Sequence, residues 1–485
     1  MVDSDGTNCV YMVRYYSMMK SCSILLCLLL LCVPARFVFP QNGESPVLNE
    51  QAPRGAGETA IHGLIGAGET MLTNGIIMFF NIVVRNEPWS KPTAESIRRN
   101  FSDAWEWEPT DGFKVNQIGH PIQGSVYFNT GRVNGFGFYE SVFFSALGSS
   151  AWETFCEYNL ASINDFITTS TSSLSMGEIF YRLYLEACAA GVPAPLAALF
   201  NPAAGVHQLI TGWKPPDNGR NLNRFQVYLG AGYAQTNSVI SSGNREMFAF
   251  QGFSGEAGFS TVYGNPFEQN SVTPFDHFEF AMSIGLDFDN YLNLRLISDG
   301  YLFSFSPVDT AADMMSTGLS LHLDFVSLGK YDMYDGTIDQ YSNALDWTIK
   351  YQHLFLKDAL FQAKFHAGIT FFGVSEYYSP NKEKDLKNYG GGVNSKLLLT
   401  LEDKKLGRLE ASVFGYILWS YPQTSALSEG TVYWLFADAT YSRCITKHLS
   451  AGVTDYFAME RGIFSGFPNT RKYNNAVKLF VAWDL

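Results

Sequence analysis

The chain has 485 residues, enough for two or more domains, and a formal net charge of −13. Charged residues are only 16% of it and aromatics 15%, with 39 Phe, 26 Tyr and 43 Gly, whereas ordinary soluble domains are about 25% charged. That balance argues against a cytosolic enzyme and for a membrane barrel, and the acidic charge argues against a nucleic-acid partner, which needs a basic surface to neutralise phosphates.

Near the N-terminus, Lys20 precedes an apolar run from Ile24 to Val33, with Val33-Pro34-Ala35 as a small-residue cleavage site. This is the pattern of a secretory signal, and it is too short for a membrane span. Residues 1–40 are assigned to a signal peptide with an upstream extension, with Met18 or Met19 as an alternative start. Residues 41–54 are assigned to a flexible linker. Four of the seven Cys fall in or before the signal. Cys156, Cys188 and Cys444 remain, either as buried small side chains or with a Cys156–Cys188 disulfide.

Residues 55–221 read as an α-helical domain. "AIHGLIGAGETMLTNGIIMFFNIVVR" is apolar at helical spacing but carries Glu69, Asn74 and Asn81. "VNGFGFYESVFFSALGSSAWETFCEYNLA" and "SLSMGEIFYRLYLEACAAG" are similar. The expectation is a set of mostly buried helices in the periplasm or packed into a barrel; an inner-membrane bundle is the alternative. Pro-rich "GVPAPLAALFNPAAG" and "GWKPPDNG" read as the linker into the first strand.

Within this domain, Ser150-x-x-Glu153, Ser162-x-x-Asp165 and Ser175-x-x-Glu178 each resemble a capping box, in which Ser and acid satisfy each other's backbone N–H at a helix start. Glu178 can also pair with Arg182 one turn later. Glu140 and Glu157 have no such explanation, and His120 and Arg132 are the obvious counter-charges. One reading is a structural polar network of His120, Arg132, Glu140, Glu157, Asn164, Glu178 and Arg182. The other makes His120 a general base with carboxylate orienters, so that His120, Glu157, Glu153 and Asp165 are the candidate catalytic residues. Glu153 and Glu157 share a helical face, yet no Glu-x-x-His or His-Glu-x-x-His accompanies them, so no metal is assigned. With no P-loop, dinucleotide fingerprint or Gly-x-Ser-x-Gly elbow, no cofactor is assigned either.

From residue 222 to 485 the grammar is period two. Phe278, Phe280, Met282, Ile284 and Leu286 alternate with Glu279, Ala281, Ser283 and Gly285; Leu321, Leu323 and Phe325 alternate with His322 and Asp324. Runs of ten or more residues exceed the 5–6 typical of soluble strands and match the roughly 9–11 that cross a bilayer. Aromatics gather near run ends, as in "YILWSYP" and "VYWLF", where interfacial girdles belong. The expected lipid-facing set includes Phe280, Ile284, Leu323 and Phe365, and the lumen set Glu279, Ser283, Asp324 and Lys364, with His322 and His366 solvated in the lumen. The last strand, Val477 to Leu485, alternates in the same way and implies a barrel-assembly machinery as partner. About twelve strands fit between the turn signals, an even number as bacterial barrels require.

The segment "QIGHPIQGSVYFNTGR … SSAWETFCEYNLASINDFITTSTSSLSMGE" resembles an uncharacterised bacterial family, a domain of unknown function. Its motifs here are Gly119-His120-Pro121, Trp152-Glu153, Ser162-Ile163-Asn164-Asp165 and Gly177-Glu178, within roughly residues 70–190. The resemblance implies an outer-membrane-associated protein of a diderm bacterium and no particular reaction. It also implies that His120 and the acids form one spatial cluster.

The expected fold is therefore a membrane β-barrel of about twelve antiparallel strands, preceded by an α-helical domain that caps or plugs it, in the cell outer membrane. Its expected role is passage or handling of small molecules or lipids, with outer-membrane lipid as partner and a small molecule or lipid as ligand. The alternatives are an outer-membrane lipid-modifying enzyme built on the His/Glu cluster, and a structural or surface-interaction barrel using loops such as Ser306–Thr317.

Overall fold

The computed structural model describes residues 55–108, 112–216, 221–240, 245–267, 270–287, 291–330, 337–356, 359–379, 384–421 and 429–485. The expected signal and linker lie outside the described residues.

Period-two alternation folds as twelve antiparallel strands: β1 (Leu222–Ile240), β2 (Arg245–Tyr263), β3 (Phe278–Asp287), β4 (Tyr291–Asp309), β5 (Asp313–Lys330), β6 (Ile338–Leu356), β7 (Ala359–Ser379), β8 (Lys384–Asp403), β9 (Gly407–Ser420), β10 (Gly430–Cys444), β11 (Leu449–Phe464) and β12 (Thr470–Asp484). Each pairs with its sequence neighbours, and β12 returns to β1 in a register running from Gln226↔Asp484 to Ile240↔Thr470, so the sheet is closed. Closure satisfies the strand backbone internally, as a hydrocarbon surround demands. The chain enters β1 and leaves β12 at one end, called here the terminal end. Turns 310–312 and 404–406 lie at that end, with Leu356 of β6 and Ala359 of β7, whereas Lys330 of β5, Ile338 of β6, Ser420 of β9 and Gly430 of β10 lie at the distal end. The Ser306–Thr317 stretch is thus a tight hairpin at the terminal end, where short periplasmic turns belong, and not a long outer loop.

Side chains that bridge non-adjacent strands identify the lumen. Glu279 of β3 meets Lys350 of β6 and Lys364 of β7. Asp324 of β5 meets Lys396 of β8 and Tyr416 of β9. Their immediate neighbours in sequence must point outward. On β12 this puts Lys472 and Asn474 inside and Val477, Leu479, Val481 and Trp483 outside, exposed. Outward Trp483 and Tyr441 lie toward the terminal end, and Trp419 and Tyr433 toward the distal end, as two aromatic girdles would.

The helical region contains α1 (Ala56–Phe79, continued by a π-helical turn, Phe80–Arg85), α2 (Ala94–Ser102), α3 (His120–Val133), α4 (Phe138–Phe155), α5 (Ile163–Ala189), α6 (Ala194–Ala197) and α7 (Pro202–Thr211). The Pro-rich stretch read as a linker supplies α6 and α7. Asn201 caps α7 by accepting from the Ala204 N–H at 3.0 Å, and His207 reaches Glu69 at 2.7 Å. Helices α1, α3, α4 and α5 alternate in direction as an up-down bundle. Small residues permit close crossings: a Cβ at Gly124 would collide with the Thr169 carbonyl, and one at Gly177 would sit 2.6 Å from the Phe128 ring.

The bundle docks on the outside of the barrel. Phe180 of α5 packs edge-on to outward Phe280 at 6.1 Å, and Phe113 stacks on outward Phe325 at 5.6 Å. Asn343 donates to the Thr171 hydroxyl at 3.0 Å, Tyr341 bonds the Ser172 hydroxyl, and the Tyr389 hydroxyl donates to the Glu108 carbonyl at 2.6 Å. At the terminal end Arg182 donates to the Pro274 carbonyl and the Asn221 N–H to Glu186, each at 2.7 Å. The helices therefore run along the wall formed by β3–β8 from one end to the other. The barrel with a preceding helical domain is as expected, but these contacts are made from outside, and the lumen is filled by the barrel's own side chains. Strand parity gave the sides of Phe280, Ile284 and Leu323 correctly. All three are nevertheless buried beneath the helices, while Phe365 is 45% exposed. Periodicity tells which way a side chain points and is silent on what covers it.

Candidate functional site

Two polar assemblies stand out, one in the bundle and one in the lumen. In the bundle, the first turn of α5 gathers carboxylates, as the positive end of a helix dipole favours. His120, at the start of α3, places Nδ1 3.0 Å from the Thr169 hydroxyl and Nε2 3.6 Å from Asp165. Asp165 Oδ1 accepts from Asn116 at 2.9 Å and Asn164 at 2.8 Å, while the Asp165 N–H donates to Ser162 at 3.2 Å. Glu153 reaches the same helix start, accepting from the Ser162 N–H at 2.8 Å. Of the four candidate catalytic residues, then, His120, Asp165 and Glu153 converge. Glu157 turns away and accepts from the Trp152 indole N–H at 2.6 Å.

The expected seven-residue network separates into parts. His120 and Asn164 belong to the α5 start. Arg132, Glu178 and Arg182 form a second centre: Glu178 faces Arg132 and Arg182, each at 2.9 Å, and Arg182 reaches Asp276 at 3.4 Å. Arg132 also lies over the Tyr181 ring at 4.7 Å. Glu140 belongs to neither, because it accepts from the Gly137 N–H at 2.9 Å and caps α4. Only Ser162–Asp165 among the three Ser-x-x-acid pairs sits at a helix start; Ser150–Glu153 and Ser175–Glu178 lie inside α4 and α5. The pattern is short enough to recur inside a helix, where it caps nothing. Cys156, Cys188 and Cys444 are free thiols.

The lumen assembly escaped sequence reasoning. Lys350 Nζ lies 2.8 Å from His277, 3.0 Å from Glu279 and 2.6 Å from Asp299, and Lys364 closes on Glu279 at 2.6 Å. Among the described residues, His277, Glu279 and Asp299 are the one group spaced to hold a metal ion, and the Lys350 ammonium already stands among them as the cation. Deeper in, Lys396 pairs with Asp324 and lies 3.0 Å from His322, whose Nε2 is 3.5 Å from Asp346. His322 and His366 are buried in this packing and not solvated. Toward the distal end the lumen is packed with Tyr377, Tyr416, Trp434, Phe436 and Phe464. At the terminal end it opens as a cavity of about 390 Å³, lined by Arg224, His277, Glu279, Lys350, Lys364 and Arg408 among others. Only the parity of these positions was legible; which ones meet across the lumen depends on barrel closure.

Residues 104–194 match the family model described as a domain of unknown function (DUF3943), the region that carries the Gly-His-Pro, Trp-Glu, Ser-x-Asn-Asp and Gly-Glu motifs. No curated protein matches the chain. Among solved structures, an outer-membrane channel from Pseudomonas putida F1 is 10% identical, covering 54% of this chain and 96% of that one with a TM-score of 0.27. The Pseudomonas putida toluene transporter TodX is 9% identical, covering 57% and 93% with a TM-score of 0.22. A Pseudomonas aeruginosa FadL homologue is 9% identical, covering 54% and 90% with a TM-score of 0.24.

Proposed function

We propose that the chain is an outer-membrane barrel through which, or at which, small molecules or lipids are handled, with the cavity at the terminal end of the lumen as its receiving chamber. The carrying observation is that cavity of about 390 Å³, floored by Lys350 and its three partners. The outward apolar wall with its two aromatic girdles supports the membrane setting, and outer-membrane lipid is then the permanent partner. Charge in the chamber is internally compensated, so the floor acts as a barrier and not as a high-affinity site for one ion. Passage requires the ion-pair layer and the distal aromatics to part. Full-length protein reconstituted in liposomes should pass small solutes faster than protein-free vesicles, and Lys350→Ala, which removes the central cation, should raise that flux. Flux equal to protein-free vesicles for both proteins refutes passage.

A second reading is favoured by one observation, the meeting of His120 with Asp165 and Thr169. A His held between a carboxylate and a hydroxyl is the geometry of a positioned general base, here in a lipid-modifying enzyme. Against it, Thr169 is only 1% exposed, which leaves a substrate no approach to that hydroxyl. Phospholipid turnover by the wild type, abolished in His120→Ala with the barrel still folded, would put this reading first; absence of turnover removes it.

A further inference from the structure

Helix α1 is built the wrong way round for water. Its buried residues are Gly66, Glu69, Thr70 and Asn74, followed by Asn81 in the π-helical turn. Glu69, Thr70 and Asn74 are engaged with other helices of the bundle, and Asn81 within its own turn. Glu69 meets His207 at 2.7 Å and Asn134 at 2.8 Å, Thr70 meets Thr130 at 2.7 Å, and Asn74 donates to the Gly148 carbonyl at 3.0 Å. Asn81 accepts from Arg85 at 3.0 Å. The opposite face is apolar and bare: Leu64 is 74% exposed, Ile76 53%, Phe79 62% and Val84 62%. Such a polar-in, apolar-out helix has its hydrogen-bonding groups satisfied within protein and its hydrocarbon turned to the surround, as helices in lipid do.

Three further observations agree. Between Gly63 and Val84 the only charged residue is Glu69, and between Ser141 and Phe155 of α4 it is Glu153; both are buried. Helix–helix contacts rest on Gly124 against Thr169, Gly131 against Ser141, Gly177 against Phe128 and Ser145 donating to the Gly124 carbonyl, small residues of the kind that mediate packing in membranes. The bundle that carries this face also rides on β3–β8 over the full height of the barrel, beside an apolar wall already described. From Ile61 to Val84 the helix rises about 35 Å, against a hydrocarbon core of about 30 Å, a mismatch that a modest tilt absorbs.

We infer that the helical bundle is immersed in the bilayer beside the barrel, with the exposed face of α1 in contact with lipid hydrocarbon, so that one chain crosses the same membrane by strands and by helices. The outer-membrane reading of the barrel is its premise, and the two can fail separately. Full-length protein with all seven Cys replaced by Ser (Cys9, Cys22, Cys27, Cys32, Cys156, Cys188 and Cys444) is labelled with a nitroxide at Leu72→Cys, Ile76→Cys or, on the bare barrel wall, Phe365→Cys. Collision broadening by oxygen and by a water-soluble nickel chelate is then read in phosphatidylethanolamine/phosphatidylglycerol vesicles, with heat-modifiable gel mobility confirming a folded barrel. The expected result is loss of nickel broadening and full oxygen broadening at residues 72 and 76, matching residue 365. Nickel access at 72 and 76 with lipid exposure at 365 overturns immersion and leaves the barrel reading standing. Nickel access at all three overturns both. Spin–spin broadening at 72 and 76 with neither collider admitted assigns the face to a second copy of the chain and overturns the inference.

Discussion

Removing the charge of Glu178 is the most informative single perturbation of the bundle. Its carboxylate is wholly buried and lies 2.9 Å from both Arg132 and Arg182, and Arg182 is itself only 1% exposed. Glu178→Gln keeps the shape but leaves two guanidinium groups facing each other, with only the part-exposed Asp276 as compensation. Breaking one member out of a buried ion cluster costs about 3–5 kcal/mol because the remaining charges stay buried. At about 1.4 kcal/mol per tenfold, that is two to nearly four powers of ten in the folding equilibrium. The assay is urea-dependent refolding into phospholipid vesicles, followed by limited proteolysis of the helical region, since Arg182 also ties α5 to the Pro274 carbonyl at the barrel's terminal end. A charge-free triple variant, Arg132→Met, Glu178→Leu and Arg182→Met, should recover much of the loss, because apolar replacement of a whole cluster is often neutral. A Glu178→Gln protein within about 0.5 kcal/mol of wild type, the range of ordinary surface changes, would refute the reasoning.

Three further outcomes are expected. Phe365→Arg should cost about 2–4 kcal/mol of barrel stability, as a charge on a lipid-facing wall does, whereas Lys364→Arg, one residue along and in the lumen, should cost little; equal tolerance argues against a membrane barrel. Phe280→Ala should cost about 3–5 kcal/mol and release the bundle from the wall, seen as faster proteolysis of residues 55–216 with the barrel itself intact. Glu153→Gln should be mild because its amide oxygen can still accept from Ser162, whereas Glu153→Ala, which strips that N–H of its acceptor, should cost about 1–3 kcal/mol by the same refolding titration.

The strands were legible because their signal is local. Alternation such as Phe278/Glu279/Phe280 repeats within one element, and the turns between runs are marked by their own chemistry. The helices were legible for the same reason, as was the Arg182–Glu178 pair, one turn apart. What meets what was not. Lys350 finds His277, Glu279 and Asp299 only once β3, β4 and β6 curve around a common lumen, and no spacing along the chain encodes that. Glu140 and Glu157 looked alike as unexplained acids, yet one caps a helix and the other holds an indole; the difference lies in Gly137 and Trp152, whose roles emerge only when α4 has its start and its end. Burial of Phe280 and Leu323 was illegible because an outward apolar side chain suits lipid and a neighbouring helix equally well.

The outward amide of Asn343 has a consequence for how this architecture can be inherited. On the wall of an ordinary barrel that amide and the neighbouring Tyr341 hydroxyl, to which it donates at 2.8 Å, would face hydrocarbon with only each other, and the hydrogen-bonding capacity left unmet would cost several kcal/mol. Here α5 supplies the partners through Thr171 and Ser172. Strands and helices are therefore not interchangeable modules. A gene encoding the strands alone would specify a barrel with a polar scar on its side, and a gene encoding the helices alone would leave Ser and Thr hydroxyls with no wall to answer them. Shuffling either part onto another partner would require that seam to be rewritten first.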